Sequence, residues 1–92
     1  MKASKKLITF YKSQVVTPIY NKMIADGEDV TIESVDSVLK YRSGYAFTST
    51  TTMTMQELQE VIVWSFQFAD SIGLELNYPE DELDKLINLN IK

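Results

Sequence analysis

Residues 48–74 decide the fold, and they read TSTTTMTMQELQEVIVWSFQFADSIGL. Thr54 and Glu57 have the spacing of a capping box, in which each side chain accepts a hydrogen bond from the backbone amide of the other residue. Gly73 follows the apolar run and can take the left-handed conformation that ends many helices. These two signals predict a helix over residues 54–72.

The apolar residues of this helix recur at three- and four-residue steps and therefore share one face. The face consists of Leu58, Val61, Ile62, Ser65, Phe68, Ala69 and Ile72. Val63, Trp64 and Phe66 lie off it, so residues 61–69 are apolar around much of the helix. We expect this helix to be central, with neighbours on more than one side. Its uncharged run is shorter than the roughly 20 residues that a membrane span needs.

The segment from Ser4 to Asp26 has the apolar spacing of a helix, which Pro18 interrupts. Proline inside a helix removes a backbone hydrogen bond and clashes with the carbonyl four residues earlier. We therefore expect a kink or a break near Thr17. In the second case Thr17 caps a new helix, with Pro18 in its first turn.

Another helix is predicted from a cap at Thr31 to an end at Ser43–Gly44, and a last helix over about residues 80–87. Residues 45–51 have β-propensity and can pair with residues 74–77. The predicted fold is all-α: a small bundle of four to five helices with at most this short extended pair.

The chain has 92 residues, contains neither cysteine nor histidine, and carries a formal net charge of −4. This length suits a single helical domain, residues 1–92. Without cysteine the chain has no disulfide and no thiolate metal site, which agrees with a reducing compartment. The apolar run after the N-terminal lysines is too short for a signal peptide. We expect a cytoplasmic protein that does not contact a membrane.

Charge is distributed unevenly along the chain. Residues 1–25 carry five lysines and no acid, whereas residues 26–92 carry three lysines, one arginine and thirteen acids. The negative net charge argues against general DNA binding, but the excess of lysine in residues 1–25 allows a local basic surface.

Groups that perform catalysis are scarce. The usual near-neutral base is missing because there is no histidine. The paired carboxylates, Glu57 with Glu60 and those within residues 80–84, lie at helix starts, where acids stabilise the helix dipole. No glycine pattern for nucleotide phosphates occurs. We expect a non-catalytic protein without cofactor or metal.

Basic residues interleaved with aromatic ones are the candidate binding residues, because single strands are bound by cations on phosphates and by rings stacked on bases. The candidates are Lys5, Lys6, Lys12, Lys22, Lys40, Tyr41, Arg42 and Tyr45. Tyr11 and Phe47 lie within the same two clusters. The structural alternative is that the rings belong to the core and the lysines to a solvated face, with Lys40 and Arg42 stabilising a helix C-terminus.

A family resemblance rests on a set of residues in the second half of the chain. They are Ser49-Thr50, Met53, Glu57-Leu58, Ile62, Phe68-Ala69 and Gly73-Leu74, followed by an acidic turn. Over roughly residues 31–85 this pattern resembles the C-terminal helical part of the phage NinB-type recombination mediators. The resemblance implies a dimeric protein that binds single-stranded DNA and works beside single-strand-binding protein in a bacterial host cell. The chain has Thr51, Thr52 and Thr54 where that family carries basic residues.

The sequence therefore predicts a small recombination or replication accessory protein with weak single-stranded DNA binding. A homodimer is expected, because residues 61–69 expose more apolar surface than short helices cover. The alternative is a protein-interaction module, such as a phage adaptor or host-factor inhibitor, with no nucleic-acid contact. A contiguous basic groove made by residues 5–22 and 40–45 would favour DNA, and dispersed lysines would favour a protein partner.

Overall fold

The computed structural model describes residues 2–76, which form helices joined by short loops. The elements are the helix α1 (Lys5–Phe10), a π-helix (Tyr11–Val16), the helices α2 (Thr17–Ala25) and α3 (Ile32–Ser43), a 3₁₀ turn (Thr50–Thr52) and the helix α4 (Met55–Ser71). No β-strand occurs within these residues, where a single antiparallel bridge joins Lys2 to Thr54. The all-α class is confirmed.

The predicted number of helices is not confirmed. α1, the π-helix and α2 follow one another without a gap, so residues 2–76 contain three separate helical stretches. The helix predicted over residues 80–87 lies outside the described residues. Residues 45–49 do not pair with residues 74–76 and instead form a turn, in which the Thr48 amide donates to the Tyr45 carbonyl at 3.2 Å.

Both ends of α4 follow the predicted local signals. The Glu57 amide donates to Thr54 Oγ1 at 3.1 Å, and the Thr54 amide donates to Glu57 Oε1 at 2.8 Å, which completes the capping box. At the other end Gly73 has a φ of 76°, and the Leu74 amide donates to the Ala69 carbonyl at 2.9 Å. This bond satisfies a carbonyl that a helix end otherwise leaves free.

The first helical stretch passes Pro18 without a break. Thr17 has helical backbone angles (φ −62°, ψ −47°), so it is not an N-cap, and the alternative of a second capped helix is wrong. Instead Tyr11–Val16 is π-helical, and the Thr17 amide and hydroxyl both donate to the Lys12 carbonyl, the hydroxyl at 2.9 Å. The wider π turn moves the carbonyl that the proline ring would otherwise meet.

Buried side chains from all the helices form one apolar core. α4 supplies its predicted face to this core and packs against α3 and the π-helix. The expectation of neighbours on more than one side of α4 is not confirmed within residues 2–76, because an outward face of the helix stays exposed. Buried Ser65 is satisfied within α4, because its hydroxyl donates to the Val61 carbonyl at 2.6 Å. Two large apolar residues of α4 lie outside the core: Val63 and Trp64 remain 52% and 48% exposed.

Candidate interaction surface

Tyr11, Asp36 and Lys40 form a polar network where the π-helix packs against α3. The Tyr11 hydroxyl donates to Asp36 Oδ1 at 2.6 Å, and Lys40 Nζ lies 2.9 Å from Asp36 Oδ2. Asp36 and Lys40 share one face of α3 because they are four residues apart. The Lys40 side chain is only 7% exposed, so its charge is neutralised by Asp36 rather than presented to solvent.

Burial raises the pKa of the Tyr11 phenol well above its ordinary value, and the hydrogen bond to the Asp36 carboxylate raises it further. The phenol therefore stays protonated and continues to donate at any physiological pH. This network is a structural connection between helices rather than an acid–base pair.

A first depression of about 330 Å³ lies on one side of the network, between α3 and the loop that follows it. Its lining consists of Asp36, Ser37, Val38, Lys40, Tyr41, Ala46, Phe47 and Thr48. Val38, Tyr41 and Phe47 are large apolar side chains that remain exposed here. The first depression therefore has an apolar rim.

Phe47 has an unusual backbone and an unusual environment. Its φ is 64°, in the left-handed region, and it is the one residue other than glycine among residues 2–76 with a positive φ. Its side chain is fully exposed, so core packing does not hold it there. A bulky residue in this region is strained, and such strain is common at functional sites.

A second depression of about 390 Å³ adjoins the first, since Asp36 and Lys40 line both. It lies among the first helical stretch, α3 and the 3₁₀ turn, and its other lining residues are Lys12, Val16, Thr17, Ile32, Glu33, Ser49, Thr50 and Thr51. Two cations, Lys12 and Lys40, face two acids, Glu33 and Asp36. The second depression is therefore balanced in charge and not a basic groove.

The structure brings only some of the predicted binding residues together. Lys12 and Lys40 line the second depression, and Lys40 and Tyr41 line the first. Lys5 and Lys6 are exposed on α1 and line neither of these depressions.

The three remaining candidates contact other side chains of the same chain. Lys22 Nζ lies 3.1 Å from Asp26 Oδ1, and the Arg42 guanidinium lies 5.3 Å from the centre of the Phe68 ring. The Tyr45 hydroxyl donates to the Glu60 carboxylate, and this bond raises the pKa of Tyr45. These contacts match the structural alternative better than a set of cations and rings free for nucleic acid.

Phe47 and Asp36 line this surface but were not among the predicted binding residues. Phe47 lies within the predicted aromatic cluster, but its left-handed backbone has no signal in the sequence, because phenylalanine is rarely found there. The Asp36–Lys40 pair did have a signal, the i,i+4 spacing of opposite charges.

Within residues 2–76 no three acidic, histidine or cysteine side chains come close enough together to hold a metal ion. None of the helices in the same range has the length and hydropathy to cross a membrane. Comparison of the chain with protein-family models, with curated proteins and with solved structures finds no match.

Proposed function

We propose that this protein is a non-catalytic protein-interaction module that docks through Phe47. The observation that carries the proposal is the combination of a left-handed backbone and a fully exposed ring at this position. The left-handed backbone lets the turn from Tyr45 to Thr48 close, but such a turn favours glycine or asparagine at this position. Phenylalanine is strained there, and its exposed ring contributes no burial. A partner that accepts the ring gives both features a purpose.

The surroundings of Phe47 fit an apolar contact. Tyr41 and Val38 lie beside it on the rim of the first depression, and both are exposed. The charges nearest this rim, Asp36 and Lys40, neutralise each other. We infer a partner protein with an apolar cleft that takes the Phe47 ring, since aromatic anchors in such clefts dominate many interfaces.

Photocrosslinking tests this contact at a single position. The photoreactive amino acid p-benzoylphenylalanine is placed at position 47 in protein expressed in bacterial host cells, and in a second preparation at Gln14, which is exposed on the π-helix. We expect a discrete adduct from position 47 and none from position 14. No adduct at position 47, or the same adduct from both positions, would contradict the proposal.

Weak single-stranded DNA binding is a second candidate, favoured by the exposure of Lys5, Lys6, Lys12 and Tyr41. Anisotropy of a labelled oligonucleotide at two salt concentrations tests it. Replacing the three lysines with glutamine should flatten the salt dependence by about 0.7 for each phosphate that is no longer neutralised. Replacing Tyr41 with alanine should cost about 1–3 kcal/mol if its ring stacks on a base. No binding at low salt would leave the protein-interaction function alone.

Other expectations from the sequence remain predictions. They are the resemblance to NinB-type mediators, the role beside single-strand-binding protein, the cytoplasmic location, the fourth or fifth helix and the homodimer. For the homodimer, the exposed large apolar side chains of residues 61–69 are Val63 and Trp64, because Val61, Ile62, Ser65 and Ala69 are buried within the chain. Light scattering over a range of concentrations tests it, and a constant monomer mass would contradict it.

A further inference from the structure

α4 has an outward face that takes no part in the core. Its exposed members are Gln56, Glu60, Val63, Trp64, Gln67, Asp70 and Ser71. They recur at three- and four-residue steps and therefore form one stripe along the helix. We refer to these seven residues as the α4 face. None of them lines either of the depressions beside Phe47.

The centre of the α4 face is apolar. Val63 and Trp64 are 52% and 48% exposed. Together with Gln56, Gln59 and Glu60 they line a shallow depression of about 360 Å³. A half-exposed tryptophan beside a valine is the kind of anchor that docking partners bury, because tryptophan is enriched among the residues that dominate binding energy.

The charged residues of the α4 face all have the same sign. α4 contains no lysine or arginine, and its face carries Glu60 and Asp70. Asp70 also lines a depression of about 310 Å³ with Glu75. Among residues 2–76, two cations contact α4 or its cap outside this face: Lys2 bridges to Thr54 ahead of the helix, and Arg42 lies over the Phe68 ring.

We propose that the α4 face binds a basic amphipathic segment of a partner protein. An apolar side chain of that segment packs against Trp64 and Val63, and its lysines or arginines lie near Glu60 and Asp70. These two acids are ten residues apart on one helix, which corresponds to about 15 Å. The partner's cations should therefore flank its apolar anchor at a similar separation. Opposite charges on the two surfaces set the register and speed association.

A second copy of this chain fits the α4 face less well. In a two-fold pairing Glu60 and Asp70 would meet the same acids of the other copy, and like charges across an interface are unfavourable. The basic N-terminal stretch of a second copy exposes Lys5, Lys6, Thr9, Lys12, Ser13 and Gln14, which include no large apolar side chain. This N-terminal stretch supplies positive charge, but no large apolar side chain that could pack against Trp64.

Two labelled peptides of the same length as α4, 17 residues, test the proposal. The first is a helical peptide with leucines on one face and lysines elsewhere, and the second has glutamate in place of every lysine. Neither contains tryptophan, so Trp64 reports binding. We expect the lysine peptide to raise its anisotropy, to shift Trp64 emission to shorter wavelength and to bind more weakly at high salt. The glutamate peptide should not bind.

Variants distinguish a contact with Glu60 and Asp70 from an effect of the net charge of the protein. The double change Glu60→Gln and Asp70→Asn should weaken binding of the lysine peptide about fivefold to tenfold. The matched change Glu28→Gln and Asp29→Asn alters two exposed acids in the loop before α3 and should leave binding within about twofold. Trp64→Ala should weaken binding about tenfold or more, with circular dichroism as a check on folding.

Three results would overturn the proposal. One is equal binding of the two peptides, and another is equal weakening by the two pairs of acid changes. The third is a dimer mass in sedimentation that Trp64→Ala abolishes, which would identify a second copy as the occupant. None of these outcomes depends on Phe47, so the proposed docking through the first depression stands or falls separately.

Discussion

The Tyr11 hydroxyl donates a hydrogen bond of 2.6 Å to Asp36, and this bond joins the π-helix to α3 where the two depressions adjoin. Asp36 uses its other carboxylate oxygen for Lys40, so one acid satisfies two buried groups. The π-helix and α3 also supply apolar side chains to the core. The network therefore adds hydrogen bonds and an ion pair to the apolar packing between the π-helix and α3.

Changing Asp36 to asparagine should destabilise the protein more than changing Lys40 to methionine. The first change leaves the buried ammonium of Lys40 unpaired, which we expect to cost about 2 kcal/mol. This is less than for a fully buried pair, because the Asp36 side chain is 29% exposed. The second change removes the buried charge and leaves Asp36 bonded to Tyr11, at a cost of about 1 kcal/mol or less. Urea unfolding followed by circular dichroism measures both, and the opposite order would show that Lys40 is not held by Asp36.

Stability should fall as the pH rises above the ordinary pKa of tyrosine, 10.0. Burial raises the pKa of Tyr11 in the folded protein, so above this pH the unfolded chain releases the phenolic proton while the folded protein keeps it. The contribution is complete below pH 10 and is lost above it, by at most about 1.4 kcal/mol per pH unit. Tyr11→Phe should show a shallower loss than the wild type, at a cost of about 1 kcal/mol at neutral pH. Tyr41→Phe, at an exposed ring, should follow the wild-type curve, and parallel curves for all three proteins would contradict the assignment.

The capping box of α4 should be worth about 1 kcal/mol. Thr54→Ala removes the hydroxyl that accepts from the Glu57 amide, and this amide has no partner further back in the helix. Thr9→Ala is the matched control, because Thr9 is exposed within α1 and alanine favours helix slightly. Thermal unfolding should show a lower midpoint for the first variant and an equal or higher midpoint for the second. A loss of stability in both would indicate a general effect of removing threonine.

The α4 helix could be predicted because its signals are local. Thr54, Glu57 and Gly73 each act within four residues of the helix end, and the apolar spacing between them needs no knowledge of the partner helices. The same pattern could not tell which off-face residues become buried. Val63 and Trp64 read like core residues, but α3 and the π-helix pack on the other side of α4.

The candidate surface could be predicted only in part because it depends on contacts between distant residues. Lys40 looked like an exposed cation at a helix end, but the packing of α3 against the π-helix buries it beside Tyr11, which is 29 positions earlier. The π-helix has no marker other than Pro18, and the wider turn is one of several ways to accommodate a proline. The backbone of Phe47 runs against the preference of its residue type, which no pattern of single residues can reveal.

The strain at Phe47 gives the last prediction, which connects stability to the proposed docking. Asparagine tolerates the left-handed region, whereas alanine keeps the strain and only removes the ring. Because the ring is fully exposed, its loss should cost little, so Phe47→Ala should match the wild type in stability. Phe47→Asn should be more stable by about 0.5–1 kcal/mol, which corresponds to a rise in the melting midpoint of about 2–6 °C.

Both variants should lose the partner that position 47 contacts, so the asparagine variant would gain stability while losing function, as is common where strain is kept for binding. Thermal unfolding and sedimentation of each variant mixed with the partner identified by crosslinking measure the two effects on the same preparations. An asparagine variant less stable than the alanine variant would mean that the left-handed backbone at position 47 is not strained. A Phe47→Ala variant that still binds the partner as the wild type does would mean that the ring is not the anchor.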